Sequence, residues 1–342
     1  MTPKILVTGG CGYIGSHTAV LLIENGFTPI LVDNLSNARA DIPARIEQIT
    51  GVAPLFYPVD CNDEAAMRGV FTAHPDIAGA IHFAASKAVG ESVLKPLLYY
   101  RNNILSLVTL LQMMEEFGGR ALVFSSSCTV YGQPDRLPVD ENAPIQQATS
   151  PYGNTKQINE EIIRDHVAAG APYKALLLRY FNPIGAHPSA LIGEEPNGVP
   201  QNLVPFITQT AAGIRPELKI FGNDYPTPDG TCIRDYIDIM DLAGAHIAAL
   251  RKLLDEPQSI PAGVDAVNIG TGSGRSVSEL VNAFEAATGV PVPHSMAPRR
   301  AGDIIQVWAD ATKAKTLLGW EAKVSIEDSL RNAWRWQQTL SK

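Results

Sequence analysis

Tyr152 and Lys156 stand four residues apart in Ser150-Pro-Tyr-Gly-Asn-Thr-Lys156. That spacing places a phenol and an ammonium on one face of a helix. Ser150 reads as the N-cap of this helix and Pro151 as its first residue. A phenol titrates at about 10 in isolation, and a neighbouring ammonium favours its ionised form, so such a tyrosine could take up a proton near neutral pH. Tyr-x-x-x-Lys alone is common on helix surfaces; its position gives it weight. It follows Phe124-Ser-Ser-Ser-Cys-Thr-Val-Tyr-Gly132, in which an apolar run ends in three hydroxyls. Ser127 could there hydrogen-bond a reacting hydroxyl and relay its proton; otherwise the serines only satisfy local backbone groups.

A second constellation lies at the N-terminus. Gly9-Gly10-Cys11-Gly12-Tyr13-Ile14-Gly15 contains G-x-x-G-x-x-G at 9, 12 and 15 and G-x-G-x-x-G at 10, 12 and 15. Between a strand and a helix, such glycines allow a tight turn, close approach to a pyrophosphate and close helix packing. The helix N-terminus adds free N–H groups and the positive end of a dipole. Asp33 follows Gly15 by 18 residues, at the end of the next apolar run, where an acid binds ribose hydroxyls. A carboxylate there accepts from a 2′-hydroxyl and repels a 2′-phosphate, and no cation follows before Arg39, so NAD is expected rather than NADP. Asp60 is either a contact for the adenine amino group or a solvated strand-end carboxylate.

These residues need a scaffold, and the patterning supplies one. Apolar runs at 4–8, 28–32, 55–59, 78–83, 121–125 and 174–179 alternate with helical patterns at 15–25, 43–50, 63–72, 92–117 and 151–169. Such alternation predicts an α/β fold, a doubly wound parallel sheet of Rossmann type with its ligands at the C-terminal strand ends. From 183 to 235 the chain is rich in Gly and Pro, and helical patterns return at 236–254, 276–288 and 326–339. The expected organisation is therefore a dinucleotide-binding domain over 1–181 and a smaller substrate-binding lobe over 182–342, with some segments of the lobe returning to the sheet.

The 342 residues are 45% apolar and 18% charged, which suits a globular chain. With 27 basic against 35 acidic residues, the net charge of -8 argues against nucleic acid or an anionic membrane as a partner. No signal peptide or long apolar span is evident. Cys11, Cys61, Cys128 and Cys232 are too scattered for a disulfide framework or a zinc site, so no metal is expected and the cytoplasm is the expected compartment.

The glycine turn, the serine run and Tyr-x-x-x-Lys resemble the extended short-chain dehydrogenase/reductase superfamily. More specific segments resemble its UDP-glucose 4-epimerase family: His82-Phe-Ala-Ala-Ser-Lys-Ala-Val-Gly-Glu-Ser92, Arg179-Tyr-Phe-Asn-Pro-Ile-Gly-Ala-His-Pro188, Phe221-Gly-Asn-Asp-Tyr-Pro226, Arg234-Asp-Tyr236 and Ala297-Pro-Arg-Arg300. The resemblance runs to about Trp336 and implies Tyr152 as catalytic base, Lys156 as its tuning partner on the nicotinamide ribose, and Ser127 as the hydroxyl-binding serine. It implies NAD contacts from Gly9, Gly12, Tyr13, Ile14, Gly15, Asp33, Asn34, Asn37, Asp60, Cys61, Phe83, Ala84, Ala85, Lys87, Asn102 and Tyr180. It also implies that Asn182, Asn202, Leu203, Phe221, Arg234, Arg300 and Asp303 hold a UDP-sugar. Arg234 and Arg300 taken singly would also pass for structural or surface ion pairs. The implied reaction is redox-neutral 4-epimerisation of UDP-glucose and UDP-galactose through a 4-keto sugar.

Two alternatives compete. A nucleotide-sugar 4,6-dehydratase of this superfamily carries an Asp-Glu pair just after the serine, where this chain has Cys128 and Thr129, neither suited to acid catalysis of elimination. A non-catalytic NAD-binding sensor has no need of Tyr-x-x-x-Lys. Two positions depart from the family pattern. Ala85-Ser86 replaces a common Gly-Leu, and Val307 replaces a tyrosine at the wall of the sugar pocket. The smaller Val307 implies room for an acetamido group, and so activity on UDP-N-acetylglucosamine and UDP-N-acetylgalactosamine, unless neighbours such as the 183–198 loop refill the space. Ile104, Leu105, Leu107, Val108, Leu110, Leu111, Met113 and Met114 make the 92–117 helix too apolar for one solvated face, and the resemblance implies a homodimer through it.

Overall fold

The computed structural model describes residues 2–300 and 303–340. Its first half runs β1 (Lys4–Thr8), α1 (Tyr13–Glu24), β2 (Thr28–Val32), α2 (Ile42–Thr50), β3 (Leu55–Tyr57), α3 (Glu64–Ala73), β4 (Ile77–His82), α4 (Val89–Leu94), α5 (Pro96–Phe117), β5 (Ala121–Ser125), α6 (Pro151–Ala168) and β6 (Lys174–Tyr180). The second half runs β7 (Asn182–Ile184), α7 (Leu203–Ala211), β8 (Leu218–Phe221), β9 (Ile233–Asp238), α8 (Ile239–Asp255), β10 (Val264–Ile269), β11 (Gly274–Ser276), α9 (Val277–Thr288), β12 (His294–Ala297), β13 (Gln306–Val307), α10 (Thr312–Leu318) and α11 (Ile326–Leu340).

Among the described residues, seven strands form one sheet in the order β10-β6-β5-β4-β1-β2-β3, with every pairing parallel. Both faces are covered, so its central strands are apolar on both sides: Ile5, Leu6 and Val7 are fully buried, as are Leu122, Val123 and Phe124. One face packs α1, α2 and α8 in a core containing Val20, Leu22, Ile46, Leu242 and Leu250. The other packs α3, α5 and α6 around Met67, Phe71, Leu110 and Ile163. The strand order reverses between β1 and its neighbours β2 and β4, which opens a crevice at the C-terminal strand ends.

The second half contributes to both parts of the molecule. α8 and β10 join the main sheet, β10 pairing with β6. The short strands β7, β11 and β13 each pair with β9, β8 pairs with β12, and α7, α9 and α11 enclose a separate core around Ile207, Phe284 and Leu330. The expected helix over 92–117 is instead two helices. Pro96 has no N–H to continue the hydrogen-bond ladder, and Lys95 leaves helical geometry at φ -131° and ψ 56°. Likewise the expected helix at 236 begins at Ile239. Asp238 caps it by accepting from the Met240 N–H, and Tyr236 belongs to β9.

Candidate active site

The glycine turn is built by close backbone contact. Gly9 adopts φ +67°, and its N–H donates to the Val32 carbonyl at 2.8 Å, tying the turn to β2. A Cβ at Gly9 would stand 2.9 Å from the Ala84 nitrogen, and one at Gly15 would enter the Gly9 carbonyl. At Gly12 a Cβ would meet only that same carbonyl, at 3.2 Å, so the outer side of the turn is open to a ligand. Asp33 is almost fully buried and accepts from the N–H groups of Cys11 (3.0 Å) and Leu35 (2.8 Å). Burial raises its carboxyl above the ordinary range, against the pull of those donors. Leu35 itself sits at φ +59°, a strained conformation for a branched side chain in the loop that leaves Asp33. Asn34 donates to Asp60 at 3.1 Å, and Asp60 also accepts from the backbone and side chain of Asn62; Cys61 is buried and Asn37 exposed.

The segment after β4 carries Phe83, Ala84, Ala85 and Lys87, and α5 holds it. Asn103 accepts from the Ser86 N–H (2.7 Å) and donates to the Ser86 carbonyl (3.0 Å), while Asn102 donates to the Ser86 hydroxyl at 3.2 Å. The departure at Ser86 is therefore an anchoring hydroxyl. Phe83 and Tyr180 both face His246 of α8, at centroid separations of 4.8 and 6.4 Å.

α6 begins as the sequence indicates, with the Ser150 hydroxyl accepting from the Gly153 N–H at 3.2 Å and Pro151 in the first turn. It closes on the end of β5, where Lys156 Nζ donates to the Ser125 carbonyl at 2.6 Å. The three serines then divide. Ser125 donates to the Tyr180 hydroxyl, Ser126 to Glu160, and Ser127 accepts from the Thr129 N–H as it caps a 3-10 turn over Cys128–Tyr131. Tyr152 is 8% exposed, and burial drives its phenol well above 10, with the Ser127 hydroxyl acting in the opposite sense. Burial brings Lys156 down to about 8. Nζ is drawn to the Ser125 carbonyl and lies 5.9 Å from the Tyr152 ring centre.

The remaining candidates lie on β7, β8, β9, β13 and α7 and the segments beside them. Asn182 opens β7, which pairs with β9. Arg234 on β9 lies in register with Val307 on β13. Val307 is 2% exposed and packs with Val130, Tyr131, Val139 and Phe181, and Cys128 and Ile304 lie against the same cluster. Phe221 ends β8 half-exposed under the Arg300 guanidinium (5.5 Å), and Arg300 pairs with Asp303 at 2.7 Å. Leu203 starts α7, and the preceding Asn202 donates to Glu194 at 2.6 Å.

Three participants escaped the sequence reading. Glu194 joins Lys87 (3.0 Å) to Asn202, linking the two sets of binding candidates; it lies in a Gly/Pro-rich loop with no pattern to single it out. Asn103 had a signal, as the second amide of an Asn-Asn pair just before the apolar stretch of α5. Glu160 had one too, a carboxylate one turn beyond Lys156.

A family model described as GDP-mannose 4,6 dehydratase matches residues 6–333. The UDP-glucose 4-epimerase of Bacillus subtilis (strain 168) is 50% identical over 335 residues, covering 98% of this chain and 97% of that protein. The UDP-glucose 4-epimerase structure from Stenotrophomonas maltophila, with bound NAD and formylated UDP-arabinopyranose, superimposes with a TM-score of 0.94 at 47% identity, covering 99% of both chains. The UDP-Glc/GlcNAc 4-epimerase from Campylobacter jejuni superimposes with a TM-score of 0.84 at 35% identity, covering 98% of this chain and 99% of that one. The likeness to named epimerases spans essentially the whole chain, and Cys128 and Thr129 occupy the positions a dehydratase would give to its acids. The chain belongs to the extended short-chain dehydrogenases/reductases that the family model describes and, within them, to the UDP-glucose 4-epimerase family.

Proposed function

We propose that this chain interconverts UDP-glucose and UDP-galactose by redox-neutral inversion at C4 through a 4-keto sugar. The closure of α6 on the end of β5 carries the reading, because it brings Tyr152, Lys156 and Ser127 together at the C-terminal edge of a parallel sheet. The residues fit NAD: the open side of Gly12 admits a pyrophosphate, Asp33 retains acceptor capacity toward a ribose, and among the described residues no cation is seen acting on Asp33 that would suit a 2′-phosphate. Gly9, Gly12, Tyr13, Ile14 and Gly15 would hold the pyrophosphate; Asp33, Asn34 and Asn37 the ribose; Asp60 and Cys61 the adenine. Phe83, Ala84, Ala85, Lys87, Asn102 and Tyr180 would line the nicotinamide side. NAD, when bound, supplies the hydride acceptor and donor, and a positive ring that favours a phenolate beside it.

Tyr152 takes the proton from the sugar 4-hydroxyl and returns it after inversion, with Ser127 orienting that hydroxyl. Lys156, still largely protonated at neutral pH, stabilises the phenolate. Arg234 and Arg300 offer planar forks to the diphosphate, and Asn182, Asn202, Leu203, Phe221 and Asp303 complete the grip. In this division residues 1–181 hold NAD and 182–342 mainly the UDP-sugar, with α8 and β10 returned to the sheet. Incubation with UDP-glucose and no added cofactor is expected to yield UDP-galactose. A 4-keto-6-deoxy product, or turnover only with stoichiometric consumption of added NADH, would overturn the assignment.

Val307 extends the reading to acetylated sugars, as the name of the Campylobacter relative suggests. It is 2% exposed and shares a buried apolar cluster with Val130, Tyr131, Val139, Phe181 and Ala309, so whether those neighbours leave room beside the sugar is what the substrate comparison reads. Wild-type protein is expected to epimerise UDP-N-acetylglucosamine, and Val307→Tyr to lose at least about tenfold of that activity while keeping UDP-glucose turnover. Equal losses on both sugars would show only overpacking.

The homodimer has a candidate face. Leu97 and Leu98 at the start of α5, with Val93 and Leu94 of α4 and Leu105 about two turns on, are exposed apolar side chains on neighbouring helices, whereas Leu107, Leu110, Leu111, Met113 and Met114 are buried in the core. A second copy covering that face would remove it from water. Leu97→Arg with Leu105→Arg is expected to shift the mass by light scattering from dimer to monomer; an unchanged dimer places the interface elsewhere. Among the described residues no helix is long and apolar enough to cross a membrane. The four free cysteines fit the reducing conditions of the cytoplasm.

A further inference from the structure

Behind the serine strand end lies a buried ion pair that the reaction as derived does not use. Glu160 and Arg179 are 4% and 3% exposed. The Arg179 fork donates to both carboxylate oxygens, from Nε at 2.9 Å and from Nη2 at 2.6 Å. Its Nη1 donates to the Tyr131 hydroxyl at 3.0 Å, and that hydroxyl donates to Asn268 of β10 at 2.6 Å. On the other side, the Ser126 hydroxyl donates to Glu160 at 2.6 Å. Ser126 lies between Ser125, whose carbonyl holds Lys156, and Ser127. Tyr131 ends the 3-10 turn that Ser127 begins. One carboxylate therefore fixes β5, α6, β6 and this turn around the reacting groups.

We propose that Glu160 is a positioning residue for the proton-transfer pair, clamping Ser126 and Arg179 so that the Ser125 carbonyl and the Ser127 hydroxyl are held at their working places. The proposal rests on the reading of Tyr152 and Lys156 given above. Glu160 also follows Lys156 by one helical turn and is the anion facing its ammonium. The other titratable groups nearby carry no negative charge at neutral pH. Tyr152 on the same helix, Tyr180 from β6, Cys128 beyond Ser127 and Tyr99 from α5 are all pushed up by burial. His82 of β4 is pushed down to about 3 and stays neutral. Arg179 is held charged, and Arg164 on α6 reaches 3.9 Å from the same carboxylate. Removing the Glu160 charge therefore makes Lys156 lose its proton at lower pH.

The test compares kcat, KM and pH profiles of purified holoenzymes with UDP-glucose. Glu160→Gln is expected to lower kcat about tenfold, a part of the ~10²–10⁴ contributed by positioned proton transfer, and to move the alkaline limb down by about one pH unit. Glu160→Asp should restore the limb. Ser126→Ala, which keeps the ion pair and the fold, should lower kcat severalfold with KM within about twofold and the limb in place. Unchanged kcat in Ser126→Ala overturns the proposal, even where Glu160→Gln fails to fold; so does an unmoved limb in folded Glu160→Gln. Full activity of Tyr152→Phe would instead overturn the reading beneath it.

Discussion

Tyr152→Phe is expected to lower kcat for UDP-glucose by about 10²–10⁴-fold while leaving the fold and the bound cofactor in place. The ring is buried and remains so in the variant, and the hydroxyl group's neighbour is Ser127 rather than a structural element. Losing it strands at most one hydroxyl partner, a cost of about 1–3 kcal/mol in stability. Groups proposed to grip the diphosphate, Arg234 and Arg300 among them, lie on β9 and after β12, so KM should change little. A drop in kcat with KM preserved marks an interaction made in the transition state. Initial rates of the purified variant, with its NAD content measured in the same preparation, check this. Turnover within tenfold of wild type would require another base.

The main sheet was legible because its strands are short apolar runs in strict alternation with helices. β1, β2 and β5 fall where the pattern puts them, and β3, β4 and β6 within two residues. β10 was not. Val264-Asp-Ala-Val-Asn-Ile269 carries two polar residues in six, and follows a Gly/Pro-rich region in which the alternation had lapsed. Its polar residues find tertiary partners: Asn268 takes the Tyr131 hydroxyl and reaches the Val139 carbonyl, and Asp265 pairs with Lys313 of α10. The lobe strands were hidden for a related reason. They are two to six residues long, and β9 pairs with β7, β11 and β13 from distant parts of the chain, so no local period announces them.

The site divides along the same line. Ser150, Pro151, Tyr152 and Lys156 are a local pattern, and the cap, the helix and the shared face all follow from it. The direction of Lys156 does not. It depends on the Ser125 carbonyl, 31 residues earlier, a partner that helix spacing alone does not reveal. Glu160 and Arg179, 19 residues apart and on different elements, meet only because α6 packs back on β6. Periodicity shows which face of a helix is buried but not which charge waits there.

Gly15→Ala is expected to leave purified protein with less than about one-tenth of the wild-type NAD and correspondingly little activity until NAD is added, if then. The added Cβ would enter the Gly9 carbonyl and stand 2.9 Å from the Gly10 Cα, and both are backbone that cannot rotate aside. α1 cannot retreat, because Ser16, His17, Ala19, Val20 and Leu22 are buried and the helix packs against α8. The turn must open instead, and it is pinned at both ends. Gly9 is bonded to Val32, and the Cys11 N–H is bonded to Asp33. Opening it therefore pulls the pyrophosphate cradle away from the carboxylate proposed to hold the ribose, so both ends of the adenosine diphosphate grip fail together. Overpacking of this kind costs about 1–3 kcal/mol, which in a chain of this size lowers Tm by several degrees and leaves the protein folded at room temperature. Gly69→Ala is the control. It lies within α3 with nothing within 4 Å of its Cβ, and should gain a few tenths to about 1 kcal/mol of helix stability with full NAD content. Cofactor released on denaturation, counted per chain in the two variants, decides the matter, and wild-type NAD content in Gly15→Ala would show that the nucleotide is held elsewhere than over this turn.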